Sequence, residues 1–206
     1  KAIAVRGHGA VEVAYHDEFV KLAQDAHMRV RNNPQAQQMY RWGTWILTAV
    51  KQLIGELPTY NHRTGVFDGW ERLSGDYIRS RYTVTDRACF GCSLGCKKMN
   101  YVVSGPFAGT LEEGPDYEGL MSFGSSLGIA DFATTLRANQ ICNRTGMDTI
   151  SAGTTLSFAF VAFEQGIIDE TITGGLKLEW GDSEAAIRLL EMVSRREGFG
   201  DTLAEG

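Results

Sequence analysis

The amino-acid sequence predicts a mainly α, multi-helical domain with little strand. Apolar residues recur at helical spacing along much of the chain, and glycines or an Asn-Pro pair end the apolar stretches. Segments with the alternating pattern of a β-strand are sparse. With 206 residues and 43% hydrophobic composition, the chain can form one large domain or two small ones with a substantial core.

Two helices are predicted in the first half. Asp17 is placed as the N-cap of the first helix, which ends at Asn32-Asn33-Pro34. Its apolar positions are Phe19, Val20, Ala23, Ala26 and Val30. A second helix is predicted from about Ala36 to Ile54, with apolar positions Met39, Trp42, Ile46, Val50 and Leu53. Residues 55–81 have the composition of a loop, with one helical turn near Tyr77.

The second half is more regular. A short β-prone segment from Met99 to Val103 is followed by a helix that Asp131 caps and Gly146 ends. The strongly apolar segment from Thr154 to Glu164 predicts a buried helix, ended by Gly166. A last amphipathic helix is predicted with Asp182 or Ser183 as its cap, Ile187, Leu190 and Val193 on its apolar face, and Gly198 as the residue that ends it.

Charge and hydropathy exclude several classes of protein. The net charge of −5 is spread along the chain, which argues against a general nucleic-acid binder. No apolar run approaches the roughly 20 residues of a membrane-spanning helix, and the N-terminus does not have the pattern of a signal peptide. A soluble, cytoplasmic protein is therefore expected. The opening Lys1-Ala2-Ile3-Ala4-Val5-Arg6-Gly7 has the pattern of the tail of a buried strand, which indicates a single domain, 1–206, taken from a longer protein that shares its site.

Three of the four cysteines lie within eight residues. Cys89, Cys92 and Cys96 have the spacing C-x2-C-x3-C, which suits thiolates that curl around one face of an iron–sulfur cubane. The intervening Gly91 and Gly95 relieve backbone strain and free amide groups to point at cluster sulfurs. Disulfides usually close longer loops, so these thiols are more suited to a metal than to crosslinks.

Two alternatives to an iron–sulfur cluster remain open for these cysteines. One is a tetrahedral zinc site, although the second Cys/His pair that such a site usually has is absent downstream. The other is three buried apolar thiols without a metal. Cys142 is the remaining thiol, and its place on a predicted helix favours a buried helical cysteine over a cluster ligand. A fourth ligand is then expected beyond Gly206.

Two polar segments are further candidates. Residues 112–118 gather four carboxylates around a Gly-Pro turn, and the apolar residues that follow could draw Glu118 into a dry pocket suited to proton transfer. An ordinary acidic surface turn explains the same pattern. Residues 143–153 leave one helix at Gly146 and enter another, so their polar side chains could contact a heterocycle. Simple helix capping by Asp148 or Ser151 is the alternative.

Taken together and in this order, these segments resemble the aldehyde:ferredoxin oxidoreductase family of tungsten-pterin enzymes. The family pattern is a C-x2-C-x3-C motif, then a Gly-Pro-Glu-Tyr-Glu-like phrase, then Asp-x-x-Gly-Leu-Asp-Thr-Ile. The corresponding positions here are Cys89/Cys92/Cys96, Gly114-Pro115-Asp116-Tyr117-Glu118 and Asn143-x-x-Gly146-Met147-Asp148-Thr149-Ile150. Supporting phrases are Leu57-Pro58-Thr59-Tyr60-Asn61 and Phe123-Gly124-Ser125, and the resemblance runs nearly end to end.

The resemblance implies a middle domain with defined roles for its residues. Residues 1–10 would be the tail of a preceding β-rich domain, and 89–153 would form the cluster and pterin segment. Cys89, Cys92 and Cys96 would bind a [4Fe-4S] cluster, whose fourth cysteine lies in a further domain. A tungsten (or molybdenum) bis-pterin would be contacted by Asn143, Gly146, Met147 and Asp148, with Glu118 as the catalytic acid/base.

The implied reaction is oxidation of a small-molecule aldehyde to a carboxylic acid, with electrons passing through the cluster to ferredoxin or another electron-transfer subunit. A tungsten-pterin reductase of aromatic acyl-CoA and a non-catalytic iron–sulfur or zinc module are the alternatives. The sequence departs from the family where Asn143 replaces an aspartate. A homodimer is compatible with the resemblance. However, Arg137 stands where one member has a glutamate that bridges its dimer through a metal, which argues against a metal-bridged dimer here.

Overall fold

The computed structural model describes residues 3–205 of the chain and is built mainly from helices, as predicted. The helices are α1 (His16–Asn32), α2 (Pro34–Trp42), α3 (Ile46–Ile54), α4 (Gly75–Arg81), α5 (Tyr117–Phe123), α6 (Phe132–Thr145), α7 (Thr149–Glu164), α8 (Ser183–Arg195) and α9 (Phe199–Leu203). Short 3-10 turns cover Gly43–Trp45, Trp70–Leu73 and Ser125–Leu127. The strands are β1 (Thr83–Arg87), β2 (Lys97–Tyr101) and β3 (Leu111–Glu113).

The strands form one small antiparallel sheet with β2 in the centre. Thr85 pairs with Met99 on one side, and Met99 pairs with Glu113 on the other. The β-prone segment predicted from Met99 to Val103 overlaps β2 at 99–101, while 102–103 lie beyond the strand; β1 and β3 were not predicted. Both missed strands are short and rich in polar residues, so only their pairing with β2 identifies them.

The N-terminal segment differs from the prediction in two respects. The strand predicted from Lys1 to Gly7 is not formed at 3–7, and Lys1 and Ala2 lie outside the described residues. A strand needs a partner for its backbone hydrogen bonds, and no other described segment pairs with this one. Helix α1 begins at His16, so Asp17 lies in its first turn and is not its cap. None of the apolar positions of α1 is buried: Phe19 is 55% exposed, whereas Val20 and Ala23 are half-buried.

The single helix predicted from Ala36 to Ile54 is wrong, because the chain divides it into α2 and α3. Gly43 ends α2 with φ +62° and ψ −152°, a conformation that is essentially confined to glycine. Asn33 caps α2, since its Oδ1 accepts hydrogen bonds from the amides of Gln35 (2.8 Å) and Ala36 (3.2 Å). The helical turn predicted near Tyr77 is confirmed as α4.

The helices of the second half follow their predicted caps closely. Asp131 accepts hydrogen bonds from the first amides of α6, and Gly146 ends that helix with φ +76°. Asp182 caps α8 as predicted, although the turn after α8 is made by Arg196 in the left-handed conformation. Helix α7 begins at Thr149, five residues earlier than predicted, because Asp148 is its cap.

The core consists of two adjoining groups of apolar side chains. One lies among α6, α7 and α8, around residues such as Leu156 and Phe160. The other joins α5 and the start of α6 to Trp45 and the segment that follows α3. Helix α7 is only half buried, contrary to the prediction, since Phe158 is 64% exposed.

Among residues 3–205, no helix is both long and apolar enough to span a membrane.

Candidate functional site

The three clustered cysteines lie on residues 88–96, the loop that connects β1 to β2 and is called the cysteine loop below. Cys89 and Cys92 are exposed and Cys96 is half-buried. The amide of Cys92 donates to the carbonyl of Cys89 at 3.0 Å, which makes a tight turn. Gly91 and Gly95 have φ values of +69° and +62°, so the predicted need for glycine is confirmed at both positions.

The donor set of this loop fits an iron–sulfur cluster. The amide of Leu94 points at the Sγ atom of Cys92 at 3.4 Å, which is the kind of hydrogen bond that tunes cluster sulfurs. Within the described range 3–205, no three His, Cys, Asp or Glu side chains gather around the position of a single metal ion. Three thiolates on one loop require at least one more ligand from elsewhere to complete a four-ligand site.

The exit of the cysteine loop packs against the end of α2. A Cβ atom added to Gly43 would lie 2.5 Å from the carbonyl oxygen of Cys96, so a glycine is required for this approach. At Gly95, an added Cβ would meet the ring of Tyr40 at 3.4 Å. The glycine that separates α2 from α3 therefore also makes room for the last cysteine of the motif.

A buried lysine reinforces this contact. Lys98 is 1% exposed, and its Nζ atom donates to the carbonyl oxygens of Tyr40 (2.8 Å), Gly95 (3.1 Å) and Cys96 (3.1 Å). The same ammonium lies 5.5 Å from the centre of the Tyr40 ring. Lys98 thus ties the last residues of the cysteine loop to the end of α2.

A carboxylate and a second cation complete the group around Lys98. The Oδ1 atom of Asp86 lies 3.2 Å from the Lys98 ammonium, and both Asp86 oxygens accept from the Arg79 guanidinium at 2.9 and 3.1 Å. The Arg79 hydrogen bond holds the pKa of Asp86 below its usual range. Burial lowers the pKa of Lys98, while Asp86 acts in the opposite direction.

A cleft of about 370 Å³ adjoins the cysteine loop and brings two of the predicted segments together. Its wall includes Lys97, which directly follows Cys96, together with the acidic segment and Asn143. The Asn143 amide donates to Glu112 Oε1 at 3.2 Å, and Lys97 pairs with Glu113 at 2.8 Å. Lys97, the Gly-Pro turn and Asn143 therefore border one opening, although no cysteine of the motif lines it.

The other residues predicted to contact the pterin also have structural roles. Asp148 accepts a hydrogen bond from the Ser151 amide at 2.7 Å, and this backbone contact lowers the pKa of its carboxyl group. Gly146 supplies the left-handed turn between α6 and α7, and Met147 packs against the core. The capping alternative is therefore confirmed for Asp148, and contact with a pterin stays a prediction for all four residues, 143 and 146–148.

Glu118 lies in the first turn of α5 and is exposed, so the prediction that it is drawn inward is wrong for this chain. Its neighbours Tyr117 and Gly119 take the buried positions, since successive residues of a helix are rotated by about 100° and Glu118 projects between them towards solvent. An added Cβ at Gly119 would lie 3.2 Å from Thr149 Oγ1, so α5 crosses close to the start of α7. Glu118 is thus one residue from the contact between α5 and the predicted pterin turn.

Cys142 has no exposure to solvent in α6, and the prediction of a buried helical cysteine is confirmed. Burial, with a smaller contribution from Asp148, raises the pKa of this thiol to about 12. Its side chain packs in the core among α6, α7 and α8 and lies outside the cysteine loop. The prediction of a fourth cluster ligand beyond Gly206 is not tested by the described residues.

Sequence reasoning missed Lys98, Asp86, Arg79 and Gly43. A Lys-Lys pair and a Thr-Asp pair have the appearance of ordinary surface sequence, and no local signal distinguishes Lys98 from its half-buried neighbour Lys97. For Gly43 there was one available signal, because a glycine within an apolar helical pattern can mark a break in the helix.

Comparison with known proteins adds an independent observation. The model of the family described as "Aldehyde ferredoxin oxidoreductase, domains 2 & 3" matches residues 21–206. The chain belongs to the aldehyde ferredoxin oxidoreductase family. This family is one of oxidoreductase enzymes, and the resemblance noted from the three sequence motifs is confirmed.

Relatives within the family are similar over the whole chain. The tungsten-containing aldehyde ferredoxin oxidoreductases of Pyrococcus horikoshii and Pyrococcus furiosus are 38% and 36% identical to it, and each alignment covers 100% of this chain. The chain spans about a third (34%) of the length of these relatives. A solved structure titled as the active-site complex of benzoyl coenzyme A reductase with 1,5-dienoyl-CoA aligns with a TM-score of 0.54 and 25% identity, covering 64% of this chain and 19% of the other.

Proposed function

We propose that this chain is the part of a tungsten-pterin oxidoreductase that carries three ligands of a [4Fe-4S] cluster and one wall of the pterin site. The whole enzyme would oxidise aldehydes to carboxylic acids and pass the electrons through the cluster to ferredoxin. The observation that carries the proposal is the opening bordered by Lys97, which directly follows the cysteine motif, by the acidic Gly-Pro turn and by Asn143. Relatives named as tungsten-containing aldehyde ferredoxin oxidoreductases support it.

Each group of residues has a distinct task in this proposal. Cys89, Cys92 and Cys96 would hold the cluster, and the Leu94 amide would hydrogen-bond to a cluster-bound sulfur. The cleft beside Lys97 would receive the edge of a pterin, with Asn143 offering an amide to it. A bound tungsten (or molybdenum) bis-pterin supplies the two-electron redox chemistry. This division places the electron relay next to the cofactor and leaves substrate contacts to be shared with other domains.

Glu118 is the proposed acid/base residue. Oxidation of an aldehyde with water as the oxygen source releases two electrons and three protons when the product is the carboxylate, so the site needs a proton acceptor. Glu118 offers a carboxylate in the first turn of α5, one residue before the contact of Gly119 with Thr149. Its exposure in this chain leaves it accessible to a reactant or to another domain of the same enzyme.

A second candidate function is supported by the solved relative. Because the benzoyl coenzyme A reductase complex shares the fold of 64% of the chain, the same scaffold could serve reduction of an aromatic acyl-CoA. Aldehyde oxidation is favoured here because the four aldehyde ferredoxin oxidoreductase relatives align over 100% of the chain at 34–38% identity.

The proposal is tested on the full-length protein. Elemental analysis should give about four irons per chain together with tungsten or molybdenum, and an aldehyde should reduce ferredoxin or a dye. Glu118→Gln should abolish turnover while iron and tungsten contents stay unchanged. Glu184→Gln is the matched control, since Glu184 is also exposed in the first turn of a helix, α8. Stoichiometric zinc without iron would refute the proposal, and turnover only with an aromatic acyl-CoA would favour the second candidate.

A further inference from the structure

Lys98 is unusual because its charged group is buried beside a proposed ligand of the cluster. It lies on the central strand, β2, two residues after Cys96, and its side chain is 1% exposed. A buried ammonium is unfavourable unless its protons are hydrogen-bonded. Its burial therefore indicates a specific role at this position.

The surroundings of Lys98 identify its charge state. The neighbours of its Nζ atom are all acceptors, namely the carbonyls of Tyr40, Gly95, Cys96 and Lys97 and the carboxylate of Asp86. A neutral amine would turn a lone pair towards one of these oxygens, whereas an ammonium donates three protons. The geometry is thus that of a cation.

The net charge of the group around Lys98 is positive. Asp86 contributes one negative charge, and Lys98 and Arg79 contribute two positive charges. One positive charge in excess therefore lies against the carbonyl of Cys96. Charges in the protein interior act more strongly on each other than charges in water, and the potential of an iron–sulfur cluster depends on the charge around it.

We infer that Lys98 is a positioning residue of the cluster: it fixes the exit of the cysteine loop on α2 and raises the reduction potential of the cluster through its charge. The inference rests on the proposed function, since it requires that the cysteine loop hold a cluster. The reduced cluster carries one more electron than the oxidised cluster, so a neighbouring cation stabilises the reduced form. Asp86 opposes this effect, and Arg79 reinforces it.

Two substitutions of opposite sign test the charge. In the full-length enzyme, Lys98→Met removes a positive charge from the group and Asp86→Asn removes a negative one. The midpoint potential is measured by redox titration of the reduced-cluster EPR signal, with iron content and thermal unfolding recorded beside it. Lys177→Met is the control, because Lys177 also pairs with a carboxylate, that of Glu179, but is exposed and belongs to another part of the chain.

For Lys98→Met we expect the ratio of reduced to oxidised cluster at a given potential to fall about tenfold. For a one-electron couple, this corresponds to a midpoint potential that is lower by about 59 mV. Asp86→Asn should shift the potential in the opposite direction, and Lys177→Met should leave it unchanged. Shifts of both variants in the same direction, or no shift in either, would overturn the inference, because loss of packing alone does not depend on the sign of the charge.

The iron contents of the variants and of the wild-type enzyme decide between the remaining outcomes. If Lys98→Met folds but loses iron that Lys177→Met retains, the positioning role is supported and Asp86→Asn alone decides the effect of charge. If the wild-type enzyme contains no iron, the proposed function fails and this inference fails with it. A normal wild-type cluster with unshifted variants overturns only the inference.

Discussion

Replacement of Gly43 by alanine would test the contact between the cysteine loop and α2. Two effects add in this variant. The backbone at Gly43, with φ +62° and ψ −152°, is a conformation that disfavours any residue with a Cβ atom by about 1–3 kcal/mol. The new Cβ would also lie 2.5 Å from the Cys96 carbonyl oxygen, so one of them must move by about 0.9 Å to reach the 3.4 Å of an ordinary contact.

Gly55→Ala provides the matched control for this substitution. Gly55 ends α3 with φ +73°, and no atom lies within 4 Å of its added Cβ. The control therefore contains the backbone effect alone, about 1–2 kcal/mol. Both glycines follow the last residue of a helix, but the Gly43 backbone (ψ −152°) disfavours a Cβ atom more than the left-handed Gly55 backbone (ψ 29°) does. The difference between the variants therefore combines the collision with Cys96 and this smaller backbone difference.

The assay combines thermal unfolding with iron analysis of the full-length enzyme. We expect Gly43→Ala to be less stable than Gly55→Ala and to lose iron, since the displaced Cys96 carbonyl moves the third cysteine. Gly55→Ala should keep its full iron content. Equal stability of the two variants, with equal iron, would refute the conclusion that Gly43 positions the cysteine loop.

Three further predictions concern single groups. Cys142→Ala should leave the iron content unchanged, whereas Cys92→Ala should lower it; an equal loss in both, measured by iron analysis, would make Cys142 a ligand. Leu156→Ala should lower the free energy of unfolding by about 2–5 kcal/mol in chemical denaturation, because this side chain is fully buried in the α7 core; a loss under about 1 kcal/mol would contradict that packing. Asp86 has a pKa lowered from 3.8, so its pair with Arg79 stabilises the fold above about pH 4 and is lost as the pH falls through the folded-state pKa. The stability difference between wild type and Asp86→Asn should therefore shrink below about pH 4, and a difference that grows there would have the wrong sign.

Helix ends in the second half were predictable because their signals are local. Asp131, Asp148 and Asp182 each accept hydrogen bonds from amides two or three residues ahead, so the neighbouring sequence alone specifies the cap. The division at Gly43 was missed for the opposite reason: its conformation is set by contact with Cys96, more than fifty positions away along the chain.

The chemistry of the cysteine loop was determined by the sequence itself. The spacing of Cys89, Cys92 and Cys96, with two glycines between them, specifies a tight loop of thiols in any folded context, and the order of the later motifs identifies the family. The tight loop depends only on residues that are close together in the sequence, and the order of the motifs can be read without knowledge of the fold.

Only the tertiary structure decided the surroundings of that loop. The burial of Lys98, its pairing with Asp86 and the opening shared by Lys97 and Asn143 all join residues distant in sequence. Such contacts arise when β2 takes the centre of the sheet and α2 covers its end, so no local pattern predicts them. The sequence by itself determines the ligands of the proposed cluster, and the fold determines the charge and the contacts around them.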